Sequence, residues 1–118
     1  GSIVSYSNEL KNSLLNISEY MLNKYGAVSE EVCEAMATNV RNRSGADWAI
    51  AISGIAGPNG GTQEKPVGLV YISITGPNND VTNIKKIFNS TRNRIEIQTL
   101  SVNVCLNSLR LILLSSSK

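Results

Sequence analysis

The sequence predicts an α/β domain, a three-layer α/β/α sandwich around a mixed sheet. Three observations point there. Two apolar runs, residues 47–53 (DWAIAIS) and 67–75 (VGLVYISIT), have strand length and are rich in small and β-branched residues. Segments with helical spacing and helix caps lie before and after them. A chain of 118 residues is the size of one domain with one core.

Residues 3–6 (IVSY) predict a short strand, after which Ser7 or Asn8 caps a helix reaching about Leu15. Tyr6 and Lys11 then flank one strand-to-helix corner. Residues 17–25 predict a second short helix, with Ile17, Met21 and Leu22 on one side and Gly26 closing it. Ser29 caps a third. Its first turns hold Glu30, Glu31 and Glu34 and its last holds Arg41 and Arg43, matching the helix dipole at both ends, and Gly45 stops it. The stripe of Val28, Val32, Met36 and Val40, with Ala35 alongside, is its core face.

Residues 47–53 are so uniformly apolar that they read as a central strand covered on both faces. Residues 67–75 continue the sheet. The turn sequence GPNND leads into a weaker strand over residues 81–88, so the two should form an antiparallel hairpin with the Lys85-Lys86 strand at an edge. From Ser90 or Thr91 to about Ser115, the spacing of Ile95, Val102, Leu106, Leu109 and Leu113 predicts a long amphipathic helix. The whole is one domain over residues 1–118. Because the chain opens at Gly1 in an apolar run with no initiator Met, loss of an N-terminal segment is expected.

Composition removes whole classes of function. There is no histidine, which excludes the Ser-His-Asp and Cys-His nucleophile arrangements and every His-containing zinc site. Proton transfer must fall to Lys, Tyr, Asp or Glu. A net charge of +2, from 11 Lys and Arg against 9 Asp and Glu, is too small and scattered for a phosphate-tracking surface, so no nucleic-acid partner is expected. Cys33 and Cys105 lack the spacing of a metal or redox pair and read as buried small hydrophobes. The apolar tail LRLILL is far shorter than the roughly 20 residues of a membrane span. A cytoplasmic protein without a membrane partner is expected.

The most unusual segment is residues 53–66, SGIAGPNGGTQEKP, with Gly54, Gly57, Gly60 and Gly61 directly after a buried strand. A loop bare of side chains at the carboxyl end of a strand can bring backbone N–H groups close to a phosphate or carboxylate. A surface turn would have the same composition. The segment is not a P-loop, since no Lys precedes Thr62, and Ser53 does not sit in a GxSxG elbow. Without histidine, a desolvated Lys11 beside Tyr6 is the natural base, because burial disfavours the charged amine. A surface lysine beside a half-buried tyrosine is the ordinary alternative. Ser7 suits a helix cap better than a nucleophile. Arg92 and Arg94 open the last helix, where a cation opposes the dipole unless an anion is bound nearby.

Three stretches together resemble one family: YSNELK at residues 6–11, GAVSEEV at 26–32 and SGIAGPNGGTQEKPVGLVYI at 53–72. They are similar to the C-terminal domain of the competence/damage-inducible protein CinA, which also occurs alone as nicotinamide-nucleotide amidase. The resemblance covers most of the chain and fades after Phe88. It implies hydrolysis of nicotinamide mononucleotide to nicotinate mononucleotide and ammonia, with no metal or other cofactor and a homo-oligomeric assembly. It also implies a serine nucleophile in an SCTGG-type motif some tens of residues before YSNxxK, assisted by Tyr6 and Lys11. Substrate would be held by Ser53, which stands where the family has threonine, with Gly54, Ala56, Gly57, Gly61 and Thr62 of the loop, and by Arg92 facing the phosphate. Ser90 and Thr91 replace the Gly-Asp pair that precedes that arginine in the family. No SCTGG motif occurs in these 118 residues, so the chain alone is expected to be inactive. A non-catalytic nucleotide-binding or scaffold module is the alternative reading.

Overall fold

The computed structural model describes residues 17–26, 28–55, 68–88 and 94–116. Within them the chain forms, in order, helices α1 (Glu19–Tyr25) and α2 (Glu30–Ser44), strands β1 (Ala49–Gly54) and β2 (Leu69–Thr75), a 3-10 turn (Pro77–Asn79), strand β3 (Val81–Ile87) and helix α3 (Arg94–Ser116). The strand expected over residues 3–6 and the helix after it lie outside the described residues.

The helices begin where the sequence supplies an oxygen for their first free N–H groups. Ser18 Oγ accepts from the Met21 N–H at 3.1 Å. Ser29 Oγ accepts from the Val32 N–H at 3.3 Å and donates to the Gly26 carbonyl at 2.9 Å, so one buried hydroxyl joins the end of α1 to the start of α2. At the other end of α2, Arg41 Nε donates to the Asp47 carbonyl at 2.9 Å and ties the helix to the approach of β1.

The three strands lie in the order β1-β2-β3, and both pairings are antiparallel. The GPNND hairpin forms as expected: Gly76 N–H donates to the Asp80 carbonyl at 2.9 Å, and Asn78 takes the left-handed φ of 62° that asparagine tolerates. Alternation along the strands separates two apolar layers. On one face Ala51 joins Ile17, Leu22, Val32, Cys33, Met36 and Ala37 of α1 and α2 and their approaches. On the other, Val70, Ile72 and Ile74 join Ile97 and Cys105 of α3. Helices cover both faces of the sheet, and the fold is α/β with three layers.

Three sequence expectations need correction. Among the described strands, β2 is the central one, paired on both sides, and β1 is covered on one face: Ala49, Ala51 and Ser53 are buried whereas Ile52 and Gly54 are exposed. Both strands are apolar, and apolarity alone does not order them. On α2, Val32 and Met36 are buried as expected and Cys33 and Ala37 join them, whereas Val28, Ala35 and Val40 of the expected stripe are half-buried. On α3 the helix is where it was expected but lies on a different side. Ile97, Ser101 and Cys105 are buried against the sheet, while Ile95, Val102, Leu106 and Leu113 are exposed. Small Ser101 and Cys105 let the helix approach closely, the Ser101 hydroxyl being returned to the Ile97 carbonyl at 2.7 Å. The span from Ile95 to Ser115 has 21 residues and contains an 18-residue window with a mean hydropathy of 1.4, long and apolar enough by length and composition alone to cross a membrane, which the short LRLILL run had concealed. The described sheet is antiparallel throughout; the strand that was to make it mixed, over residues 3–6, lies outside the described residues.

Candidate functional site

The described part of the candidate site is the carboxyl end of β1. Ser53, two residues beyond Ala51, faces the α2 layer and is buried, at 8% exposure. Gly54 faces the α3 side. Beyond them the backbone closes on β2: Ile55 N–H donates to the Leu69 carbonyl at 2.9 Å and Gly68 N–H to the Ile55 carbonyl at 2.7 Å. The two ends of the glycine-rich segment are therefore held together at its base.

Two glycines make that closure possible. A Cβ on Gly54 would stand 2.9 Å from the Leu69 carbonyl oxygen and 3.0 Å from Val70 Cγ2. Gly68 has φ +95°, where a side chain is strained, and a Cβ there would run into the Phe88 carbonyl. That carbonyl belongs to the residue whose N–H donates to Gly68 O at 2.9 Å, so β3 is tied into the same base.

Beneath the strand end lies Cys33 of α2. Its single S–H is shared between the carbonyls of Ala51, at 3.3 Å from Sγ, and Tyr71, at 3.4 Å. Burial pushes its thiol up to about 12, with the backbone N–H groups of Ser73 and Ser53 pulling the other way. A thiol so placed is no nucleophile at neutral pH; it is a fixed contact between helix and strands.

The register also sets Ser53, Tyr71 and Lys85 in one row across β1, β2 and β3, on the α2 side. Lys85 Nζ lies 6.0 Å from the centroid of the Tyr71 ring. A hydroxyl, a phenol and an ammonium thus belong to one row of the sheet that starts beside the loop base, residue types able to bond a polar or anionic ligand. Tyr71 and Lys85 were missed from sequence because the signal is the register, which spacing within one strand does not carry. Among the described residues, no three His, Cys, Asp or Glu stand together to hold a metal ion. Of the sequence-derived site residues, Ser53 and Gly54 sit together here; Tyr6, Lys11, Ala56, Gly57, Gly61, Thr62 and Arg92 lie outside the described residues.

A family model, that of the CinA C-terminal domain, matches residues 1–113. The chain belongs to that family. Proteins named CinA-like protein from Prochlorococcus marinus agree with it: that of strain MIT 9215 is 86% identical over all of this chain, and that of strain MIT 9313 is 49% identical over 99% of it. The chain spans 28% of the length of the first and 27% of the second. Among solved structures, the competence/damage inducible protein CihA from Agrobacterium tumefaciens superposes with a TM-score of 0.86 at 36% identity, over 91% of this chain and 64% of that one. A competence-damaged protein (CinA) superfamily protein from Escherichia coli gives 0.83 at 30% identity, over 91% and 60%. The CinA domain fold is thus present here in the part these 118 residues supply.

Proposed function

We propose that this CinA domain serves a nicotinamide-nucleotide amidase, holding nicotinamide mononucleotide while a serine outside these 118 residues attacks the amide. What supports the reading most is the end of β1. Buried Ser53 and side-chain-free Gly54 open into a glycine-rich segment whose ends are pinned together between Ile55 and Gly68. A buried hydroxyl at the mouth of a segment whose sequence is this rich in glycine suits a ligand bearing an amide and a phosphate. In this proposal Lys11 takes the proton of the attacking serine, Tyr6 orients it or passes a proton to the departing ammonia, and Arg92 faces the phosphate. Ser53 and the loop residues Gly54, Ala56, Gly57, Gly61 and Thr62 hold the substrate.

The test is ammonia release from nicotinamide mononucleotide. The longer CinA-like protein from strain MIT 9215 should release it, and replacing its residue equivalent to Lys11 by alanine should lower the rate by about a hundredfold or more. The 118-residue chain alone should release none, because it holds no SCTGG motif. The second reading is a non-catalytic nucleotide-binding module; binding of the mononucleotide without turnover in the longer protein would select it.

A further inference from the structure

Helix α2 crosses its face of the sheet in a fixed register. Cys33 Sγ reaches the Ala51 carbonyl, and Arg41 Nε reaches the Asp47 carbonyl. Eight helical residues rise about 12 Å, and four residues of strand and its approach span about 13 Å, so the helix runs antiparallel to β1 with matched spacing. Ala37, midway between Cys33 and Arg41 and fully buried, therefore lies over Ala49. The pairing of β1 with β2 sets Ala51 beside Ser73 and Ala49 beside Thr75 on that same face.

Two hydroxyls lie shut off from solvent there. Ser73 is 0% exposed and Thr75 is 4% exposed. Among the described residues, neither Ser73 Oγ nor Thr75 Oγ1 has a hydrogen-bond partner. The buried hydroxyls of Ser29 and Ser101 each have one, the Gly26 and the Ile97 carbonyl. The side chains that the register places around Ser73 and Thr75 cannot serve them. Ala37, Ala49 and Ala51 carry no polar side-chain atom, and the one S–H of Cys33 is shared between the Ala51 and Tyr71 carbonyls. A hydroxyl buried without a partner costs more than an ordinary hydrogen bond returns, and two on neighbouring positions of one face double that cost.

We propose that one ordered water is held between α2 and β2, bonded to both Ser73 Oγ and Thr75 Oγ1. The proposal is independent of the amidase reading. Residues two apart on one face of a strand stand about 6.7 Å apart. Two hydrogen bonds of about 2.8 Å to a single oxygen span about 5.6 Å, so hydroxyls inclined toward each other by about an ångström share one molecule. Alanine at positions 37, 49 and 51 suits such a site, because a branched side chain would compete for the same space. The water fixes α2 to the central strand two residues from Tyr71, next to the row that begins at Ser53.

The test is a double-variant cycle on the 118-residue chain, read by urea denaturation, together with a high-resolution crystal structure. Ser73→Ala and Thr75→Val each remove one hydroxyl at nearly constant volume. If one water bridges the pair, each single change also strands the remaining hydroxyl. The double variant should then be more stable than the two single shifts predict when summed, by about twofold or more in the unfolding constant. The density should show one peak at about 2.6–3.2 Å from both oxygens, and the double variant should lose it. Shifts that simply add overturn the proposal: two gains in stability mean hydroxyls buried without a partner, and two losses mean hydroxyls bonded separately. Density without the peak overturns it as well, as does a peak bonded to one hydroxyl alone or a direct bond from either hydroxyl to a protein group.

Discussion

The Sγ of Cys33 donates to the Ala51 carbonyl at 3.3 Å, which anchors the first turn of α2 to β1 two residues before Ser53. This buried contact has a pH signature. Burial pushes Cys33 from 9.0 up to about 12 and Cys105 from 9.0 up to about 11. In the unfolded chain both thiols lose their protons near 9, while the folded chain keeps them, so above that pH the unfolded state binds fewer protons. Their contribution is intact below the unfolded value and is lost as pH rises through the window from 9.0 toward about 12. Urea midpoints should therefore fall on the alkaline side. The Cys33→Ala, Cys105→Ala double variant should be less stable at neutral pH and show a shallower alkaline decline, which separates the thiols from Lys and Tyr titrating in the same range.

The Ser29 hydroxyl should be the most costly helix cap to remove. It is buried, and it serves both the Val32 N–H and the Gly26 carbonyl. Ser29→Ala strands two backbone groups and should cost about 1–2 kcal/mol by urea denaturation. Ser18→Ala removes one exposed bond to Met21 and should cost less, about 0.5–1 kcal/mol. Equal losses would contradict the joining role of Ser29 between α1 and α2.

The loop base should rank its glycines. Gly54→Ala meets the Leu69 carbonyl at 2.9 Å with an ordinary backbone conformation, a crowding that should cost about 1–3 kcal/mol. Gly68→Ala adds a φ of +95° to a collision with the Phe88 carbonyl, and backbone at both sides must move. Chemical denaturation should find Gly68→Ala the more damaging of the two, and hydrogen exchange should show the Phe88 amide, which donates to Gly68 O, losing protection with it.

Where the sequence carried a local chemical signal, the fold was legible. Ser29 and Gly45 bound α2 as its caps predicted, and GPNND produced the hairpin. What failed was the choice among apolar surfaces. Helix α3 has apolar residues on several sides, so the spacing of Ile95, Val102, Leu106, Leu109 and Leu113 was a real pattern that marks the outward side, apart from Leu109, which packs on the sheet-side cluster. The burial of Ser101 and Cys105 is set by how closely the helix meets β2, a tertiary fact absent from hydropathy. Ser53 and Gly54 were legible because glycines after a strand are unusual; the Ser53, Tyr71 and Lys85 row was not, because it exists only once the register is fixed.

Ser53 offers the sharpest test of the proposed substrate site. It is buried beside Cys33 and Tyr71, so a change there could act through packing or through a bound ligand. Two variants separate the effects. Ser53→Thr keeps the hydroxyl and adds a methyl; Ser53→Ala keeps the volume nearly constant and removes the hydroxyl. If Ser53 bonds the substrate, the alanine variant should weaken nicotinamide mononucleotide binding by about 0.5–1.5 kcal/mol, or roughly threefold to tenfold in Kd, and the threonine variant should retain affinity. Calorimetric titration of the longer CinA-like protein carrying each change at the equivalent position measures both. If alanine binds as tightly as serine at matched urea midpoints, Ser53 is a packing residue at the end of β1 and the substrate is held by the loop backbone without it.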